Sequence, residues 1–154
     1  MSDENKKIAR KLMEEGWNKG REEVVDELMS PQCHFHDPVF PSLTSGAENY
    51  KQHIRQCRNA FPDLKFTIED EIAERNEVVL HWKLHGTHRG TFLGMPATNR
   101  SATISGTTID RIEKGKIVER YADWNLLSLM EQLGLASQAA QTLSAQQQTA
   151  GARR

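Results

Sequence analysis

The spacing of the apolar residues changes partway along this chain, and that change limits the folds available to it. In the first third, apolar residues recur at helical spacing among charged ones, as Ile8, Leu12 and Met13 do. From Leu64 onward apolar and polar residues alternate, which is the pattern of a strand with one buried face. Helices followed by a group of strands predict an α+β fold, in which one sheet is covered by helices on one face and curls around its apolar side.

Each segment can be assigned from its period and its turn residues. We predict helices over residues 4–16, 21–29, 45–57 and 125–133, and strands over residues 64–72, 78–84, 101–112 and 116–121. Residues 34–38 form a short extended piece before a proline. Residues 75–77 and Gly115 are the two hairpin turns, and residues 89–100 form a loop at the rim of a cavity.

Length, charge and cysteine content exclude several classes of protein. A chain of 154 residues with a net charge of −1 has no overall attraction to nucleic acid or to an anionic membrane. We find no apolar stretch of the ~20 residues that span a bilayer, and we expect no secretory signal because the first residues are charged. Cys33 and Cys57 are not in a C-x-x-C motif, which favours reduced thiols in the cytoplasm. We expect one domain over residues 1–134 and a polar, flexible tail over residues 135–154.

A carboxylate near the end of the last strand is the main catalytic candidate. Alternation along that strand places Tyr121 and Asp123 on the side of Ile117, which we expect to face the helices. In an apolar cavity the pKa of such a carboxyl group rises, which suits it to proton transfer. Thr108, on the preceding strand, is a possible polar group inside. The alternative for Asp123 is a structural role as the N-cap of the final helix.

The histidines do not form a convincing metal site. His81 and His85 share a face of one predicted strand, but they stand ~13 Å apart along it, too far to share an ion. His34 and His36 have no evident partner set of Cys, Asp or Glu. We therefore expect no metal, and we keep His36 as a site candidate because it lies near the expected cavity entrance.

Several short motifs occur in a fixed order along the chain. They are His36-Asp37-Pro38, Phe61-Pro62-Asp63, GTHRG with GMP over residues 86–96, GKI with Glu119 over residues 115–119, and Gln132-Leu133-Gly134. In this order and at these spacings the chain resembles the SnoaL-like polyketide cyclases of the nuclear transport factor 2-like superfamily. The resemblance implies a curved, mostly antiparallel sheet wrapped with N-terminal helices into a cone-shaped half-barrel around an apolar pocket. It also implies a homodimer or homotetramer formed through the sheet.

The resemblance implies a chemistry as well. The family closes a polyketide ring by intramolecular aldol condensation without a cofactor, using an aspartate located between the GKI strand and the QLG helix. Asp123 is the nearest carboxylate here, Asn125 occupies the alternative register, and Thr108 stands where the cyclases have an assisting histidine. The predicted substrate-binding residues are Trp17, Phe40, Phe61, Trp82, His88, Met95, Tyr121, Trp124 and Asn125.

Two classes of function remain open from the sequence. The first is a cyclase, isomerase or lyase that acts on a small, mostly apolar carbonyl compound, with Asp123 as acid and base and with His36 and Thr108 assisting. The second is a non-catalytic module of the same fold that binds a small molecule or supports oligomerisation. Hydrolysis of an ester or epoxide through an activated water would use the same carboxylate.

Overall fold

The computed structural model of this chain describes residues 2–40 and 45–137. Its helices are α1 (Ser2–Lys11), which continues as a π-helical turn (Leu12–Trp17), α2 (Glu23–Leu28), α3 (Ala47–Ala60) and α4 (Leu126–Leu133). Its strands are β1 (Met29–His36), β2 (Lys65–Glu74), β3 (Glu77–Thr87), β4 (Ser101–Glu113) and β5 (Lys116–Trp124). The predicted α+β class is confirmed, but the helices do not all precede the strands, because β1 lies between α2 and α3. The extended piece predicted at residues 34–38 is the end of β1, a longer strand that begins at Met29.

The strands of the described chain form one curved, unclosed sheet in the order β1-β5-β4-β3-β2. Two hairpins account for most of it, and Arg75 and Lys114 make the tight turns with positive φ angles of 57° and 51°. The neighbouring pairs are antiparallel except β1, which lies parallel to β5. The parallel pair joins the first strand in the chain to the last, so residues far apart in sequence meet at this edge.

The helices cover the concave face of the sheet and supply one side of the core. Leu12 and Met13 of the π-helical turn are buried, and so are Val25 of α2 and Ile54 of α3. At the other end, α4 packs against β4. The Asn125 Oδ1 atom accepts a 2.9 Å hydrogen bond from the Ser128 N–H, so the N-cap of α4 is Asn125 and the cap role considered for Asp123 is wrong.

Two β-bulges reverse the alternation that the sequence predicts. Ile68 pairs with Trp82 while Asp70 pairs with His81, so Glu69 is an extra residue on β2. Beyond it the inward and outward positions are exchanged. Ile72, which unbroken alternation from Phe66 and Ile68 would bury, is 64% exposed. A register shift thus changes which face a side chain occupies without changing the strand assignment.

The second bulge lies in β5 and bears directly on function. Arg111 pairs with Glu119 and Ile112 pairs with Ile117, so Val118 is the extra residue. Ile117 is buried as expected, but after the bulge the inward positions belong to Arg120, Ala122 and Trp124. The prediction that Tyr121 and Asp123 face the helices is therefore wrong, because both side chains lie on the exposed face.

The loop between β3 and β4 closes over one end of the sheet, as the glycines and proline there predict. The N–H groups of Arg89 and Gly90 both donate to the Ala60 carbonyl oxygen, at 2.9 and 3.1 Å. Phe92 and Met95 pair with each other through two backbone hydrogen bonds and are both buried. The loop is thus tied to the end of α3.

The greater part of the predicted tail, residues 138–154, lies outside the described residues. No helix within residues 2–40 and 45–137 is long and apolar enough to cross a membrane.

Candidate active site

A cavity of about 90 Å³ lies between the concave face of the sheet and the π-helical turn and α3. We call it the central cavity. Its walls are mostly aromatic and aliphatic, and its few polar groups come from β1, α3, β4 and β5. The predicted site residues that line it are Trp17, Phe40, Phe61, Trp82, Thr108 and Trp124, and His36 lies at its border.

Edge-to-face aromatic contacts build the apolar wall. The ring centroid of Phe66 lies 5.5 Å from that of Trp17 and 4.8 Å from that of Trp82. Trp82 packs flat over Gly106, where an added Cβ atom would lie only 2.5 Å from Trp82 Cζ2. The Trp17 indole N–H donates to the Tyr50 hydroxyl at 2.9 Å. These contacts hold the wall in one arrangement around a mainly apolar space.

Asp37 places a buried carboxylate in this apolar wall. It follows directly after β1, and its side chain is 9% exposed. The Val39 N–H donates to its Oδ1 atom at 2.9 Å, and the Trp124 indole N–H donates to both oxygens at 3.2 and 3.1 Å. Burial raises the pKa of Asp37, the two donors oppose that rise, and the negative charge of Asp123 adds to it. The result is a carboxylate of increased basicity facing an apolar cavity.

His53 of α3 stands beside this carboxylate. Its Nε2 atom is 3.8 Å from Asp37 Oδ2, too long for a direct hydrogen bond, and its side chain is 6% exposed. Burial, together with the positive charge of Arg120, lowers the pKa of His53 to about 4. The imidazole is therefore neutral at physiological pH. Its Nδ1 atom has no hydrogen-bond partner among the described residues.

A buried ion pair forms the floor of the cavity. Arg120 and Asp110 lie opposite each other on β5 and β4, and Arg120 Nη1 donates to both carboxylate oxygens at 3.0 Å. Arg120 Nη2 lies 2.9 Å from the Met13 sulfur, and the guanidinium carbon lies 5.9 Å from the Tyr50 ring centroid. Burial raises the pKa of Asp110 to about 6, although the charge of Arg120 opposes the rise. Arg120 lines the central cavity.

Thr108 and Asp37 stand on either side of a small residue. Thr108 pairs with Ala122, and Tyr121 pairs with His36, so Asp37 lies level with Ala122 on its other side. Thr108 is 2% exposed, and its hydroxyl has no partner in the described part of the chain. The methyl group of Ala122 leaves space between the threonine and the carboxylate. The inward residue of β5 that lies between Thr108 and Asp37 is thus an alanine.

Four predicted site residues lie at or outside the edge of this cavity. Asp123 is exposed opposite Thr107, and Asn125 caps α4. Tyr121 stacks on the His36 ring with centroids 4.3 Å apart, on the exposed face of the sheet. His36 borders the cavity, but its side chain is 47% exposed. The bulge at Val118 explains the positions of Tyr121 and Asp123.

Two further predicted residues support the cavity from behind rather than lining it. His88 is fully buried and stacks on Phe61 with centroids 5.3 Å apart. Its Nδ1 atom lies 3.1 Å from the Thr98 hydroxyl oxygen, which ties it to the loop between β3 and β4. Met95 is buried in the same loop. Among residues 2–40 and 45–137, no group of three or more His, Cys, Asp and Glu side chains is placed to hold a metal ion.

The sequence interpretation missed Asp37, His53 and Arg120 as site residues. A signal for Asp37 was present, because it continues the alternation of Cys33 and Phe35, both of which are buried. No local pattern distinguishes His53 from other polar residues of α3. Arg120 is hidden by the bulge at Val118, since simple alternation would place it outside.

The lowered pKa of His53 gives a pH-dependent stability that can be tested with His53→Gln. Below pH 6.5 the unfolded chain takes up a proton that the folded chain refuses until about pH 4, so acid destabilises the wild type through this residue. We expect the difference in unfolding free energy, wild type minus variant, to fall by about 2 kcal/mol between pH 7 and pH 5. Urea unfolding at both pH values measures it. A difference that stays constant would show that Asp37 stabilises the imidazolium in the folded state.

Comparison with known proteins gives a consistent picture. A family model described as SnoaL-like polyketide cyclase matches residues 7–133. The chain is 29% identical to nogalonic acid methyl ester cyclase from Streptomyces nogalater over 124 residues, covering 79% of this chain and 92% of that protein. The structure of TsrD from Streptomyces laurentii superposes with a TM-score of 0.80 at 24% identity, covering 88% of this chain and 98% of that one, and shows the fold alone. A candidate polyketide cyclase from Acidithiobacillus ferrooxidans superposes with a TM-score of 0.78 at 27% identity, with the same coverage.

Proposed function

Because this chain belongs to the SnoaL-like polyketide cyclase family, we propose that it performs acid–base chemistry on a small, mostly apolar carbonyl compound of the polyketide type. The reaction is an intramolecular aldol-type ring closure that needs no cofactor. The central cavity binds the apolar body of the substrate between Trp17, Phe61 and Trp82.

One observation carries the catalytic assignment. Asp37 is the carboxylate that lines the cavity without a cationic partner within hydrogen-bond distance among the described residues, whereas Asp110 is neutralised by Arg120. A desolvated carboxylate of raised pKa is a suitable base for a proton on carbon. The described donors to Asp37 are one backbone N–H and one indole N–H, which leave lone pairs of the carboxylate free to accept a proton from a ligand in the cavity.

The proposed steps balance in protons and charge. The Asp37 carboxylate removes a proton from the carbon next to a carbonyl, which leaves an enolate and a neutral Asp37. The enolate carbon attacks a second carbonyl carbon of the same molecule, so a carbon–carbon bond forms and an alkoxide results. The alkoxide takes the proton back from Asp37, directly or through the neutral His53 imidazole 3.8 Å away.

Asp123 and Asn125 remain predictions for the position of the family's aspartate. Both lie in the segment between the GKI strand and the QLG helix, but their side chains are exposed here. The residues at the end of β5 that face the cavity are Arg120, Ala122 and Trp124, and none of them is a carboxylate. This observation favours Asp37 as the acid–base group.

The same observation also supports the second function, a non-catalytic binding module. If the family's chemistry depends on a carboxylate carried by β5 itself, an alanine at the inward position would leave a cavity that only binds.

In either case we expect a cytoplasmic homodimer or homotetramer formed through the exposed sheet face, where Ile72 and Tyr121 are 64% and 42% exposed.

Exchange of the α-protons of 1-tetralone, a two-ring aryl ketone, separates the two functions. The exchange into deuterated buffer is followed by NMR with the wild-type protein, the heat-denatured protein and buffer alone. A base in the cavity should accelerate exchange by at least about 10²-fold over buffer, with saturation as the ketone concentration rises. Saturable binding without accelerated exchange would favour the binding module.

A further inference from the structure

Arg120 has N–H donors for which the described residues supply no acceptor. A guanidinium group carries five N–H donors, and the described contacts are two from Nη1 to Asp110 and one from Nη2 to the Met13 sulfur. A thioether sulfur is a weak acceptor. Arg120 is buried and lines the central cavity, so a stronger acceptor there would improve its hydrogen bonding.

Three other residues that line the same cavity each carry a buried polar atom without a partner within the described chain. These atoms are the Thr108 hydroxyl, the His53 Nδ1 atom and the Trp82 indole N–H. Their residues are 2%, 5% and 3% exposed. Leaving such groups unpaired is costly, and buried polar groups nearly always have a hydrogen-bond partner. A ligand that carries oxygen atoms at several positions would satisfy them.

The charges of the cavity indicate where an anionic oxygen would lie. Arg120 is the only Arg or Lys among the described residues that line the cavity. When Asp37 accepts a proton from the ligand, the negative charge moves from the carboxylate to a ligand oxygen. In an apolar cavity that charge is most stable next to a fixed cation and its N–H donors.

We infer that the ligand bears an enolisable ketone or a phenol whose oxygen lies against the Arg120 guanidinium and the Thr108 hydroxyl, and that this oxygen becomes the enolate or phenolate. The inference rests on the proposed function and adds to it the two side chains that stabilise the oxyanion. The Met13 sulfur accepts from Arg120 Nη2, and a ligand oxygen would replace this weak acceptor. Arg120 thereby acts on the charged form of the ligand more strongly than on the neutral form.

Binding of 4-nitrophenol tests this, because only its phenolate absorbs in the visible range. The pKa of bound 4-nitrophenol is measured by absorbance titration in the wild type and in Asp110→Leu/Arg120→Met, which removes the ion pair as a whole. We expect the bound phenol to ionise at least tenfold more readily in the wild type, a pKa difference of about one unit. Equal ionisation in the two proteins, or absence of bound phenolate in the wild type, would overturn the inference.

Met13→Leu provides a matched variant that keeps the size of the side chain and removes only the sulfur acceptor. We expect phenolate binding to be equal or tighter in it, and weaker binding would contradict a role for free Nη2 donors.

Asp37→Asn separates this inference from the proposed function. It should abolish ketone exchange while it leaves phenolate binding intact or stronger, since a neighbouring negative charge is removed. The inference would be rejected, and the proposed function would stand, if bound 4-nitrophenol had the same pKa in the wild type and in Asp110→Leu/Arg120→Met while the wild type still accelerated ketone exchange.

Discussion

Replacing Asp37 with asparagine lowers the rate of 1-tetralone α-proton exchange by about 10²–10⁴-fold, the range typical of a lost general base. An amide has the shape of the carboxylate, so it can still accept from the Val39 and Trp124 N–H groups that hold Asp37. Binding of 1-tetralone and the midpoint of urea unfolding should therefore stay close to the wild type. NMR exchange rates at saturating ketone give the chemical step, and a ketone titration gives the affinity.

Asp123→Asn is the matched control, because it makes the same chemical change at a carboxylate on the exposed face of the sheet. The charge of Asp123 raises the pKa of Asp37, so its removal should alter exchange by no more than a few-fold, through a slightly weaker base. The reverse pattern, with exchange lost in Asp123→Asn and kept in Asp37→Asn, would assign the acid–base role to the residue that the family resemblance predicts. Exchange kept in both variants would show that neither carboxylate is the base and would overturn the assignment of Asp37.

Replacing Arg120 alone with methionine lowers the free energy of unfolding by about 3–5 kcal/mol, because Asp110 is then a buried carboxylate without its cation. The side chains of the pair are 3% and 0% exposed, so water cannot substitute for the lost partner. We expect the loss to be smaller at pH 5 than at pH 8, since a neutral Asp110 is tolerated where a charged one is not. Urea unfolding of both proteins at the two pH values gives the difference.

The double variant Asp110→Leu/Arg120→Met should recover most of that stability, since a buried ion pair replaced by apolar groups of similar volume is often no less stable. Arg120→Met and the double variant thus share one substitution and differ in whether a buried charge remains. Equal destabilisation of the two would show that the packing of the Arg120 stem against Met13 and Tyr50, rather than charge, accounts for the loss.

The sequence alone was enough to predict the class and much of the layout. The order of helices and strands, the two hairpins and the loop at residues 89–100 follow from local patterns. The inward faces of β3 and β4 follow from simple alternation, which places Leu80, Trp82 and Ile104 in the core and Thr108 in the cavity. These strands pair without a bulge along β3 and β4, so the period of two holds from end to end.

The identity of the site depended on the tertiary structure, for two physical reasons. The bulge at Val118 is set by how β5 pairs with β4, and one extra residue exchanges Asp123 for Ala122 at the inward position. The parallel pairing of β1 with β5 joins distant parts of the chain and brings Asp37 beside Ala122. The sequence therefore determined that an aromatic cavity forms between helices and sheet. Which carboxylate faces it, and that Arg120 lies at its floor, was decided by strand register, a property of paired strands that no single segment contains.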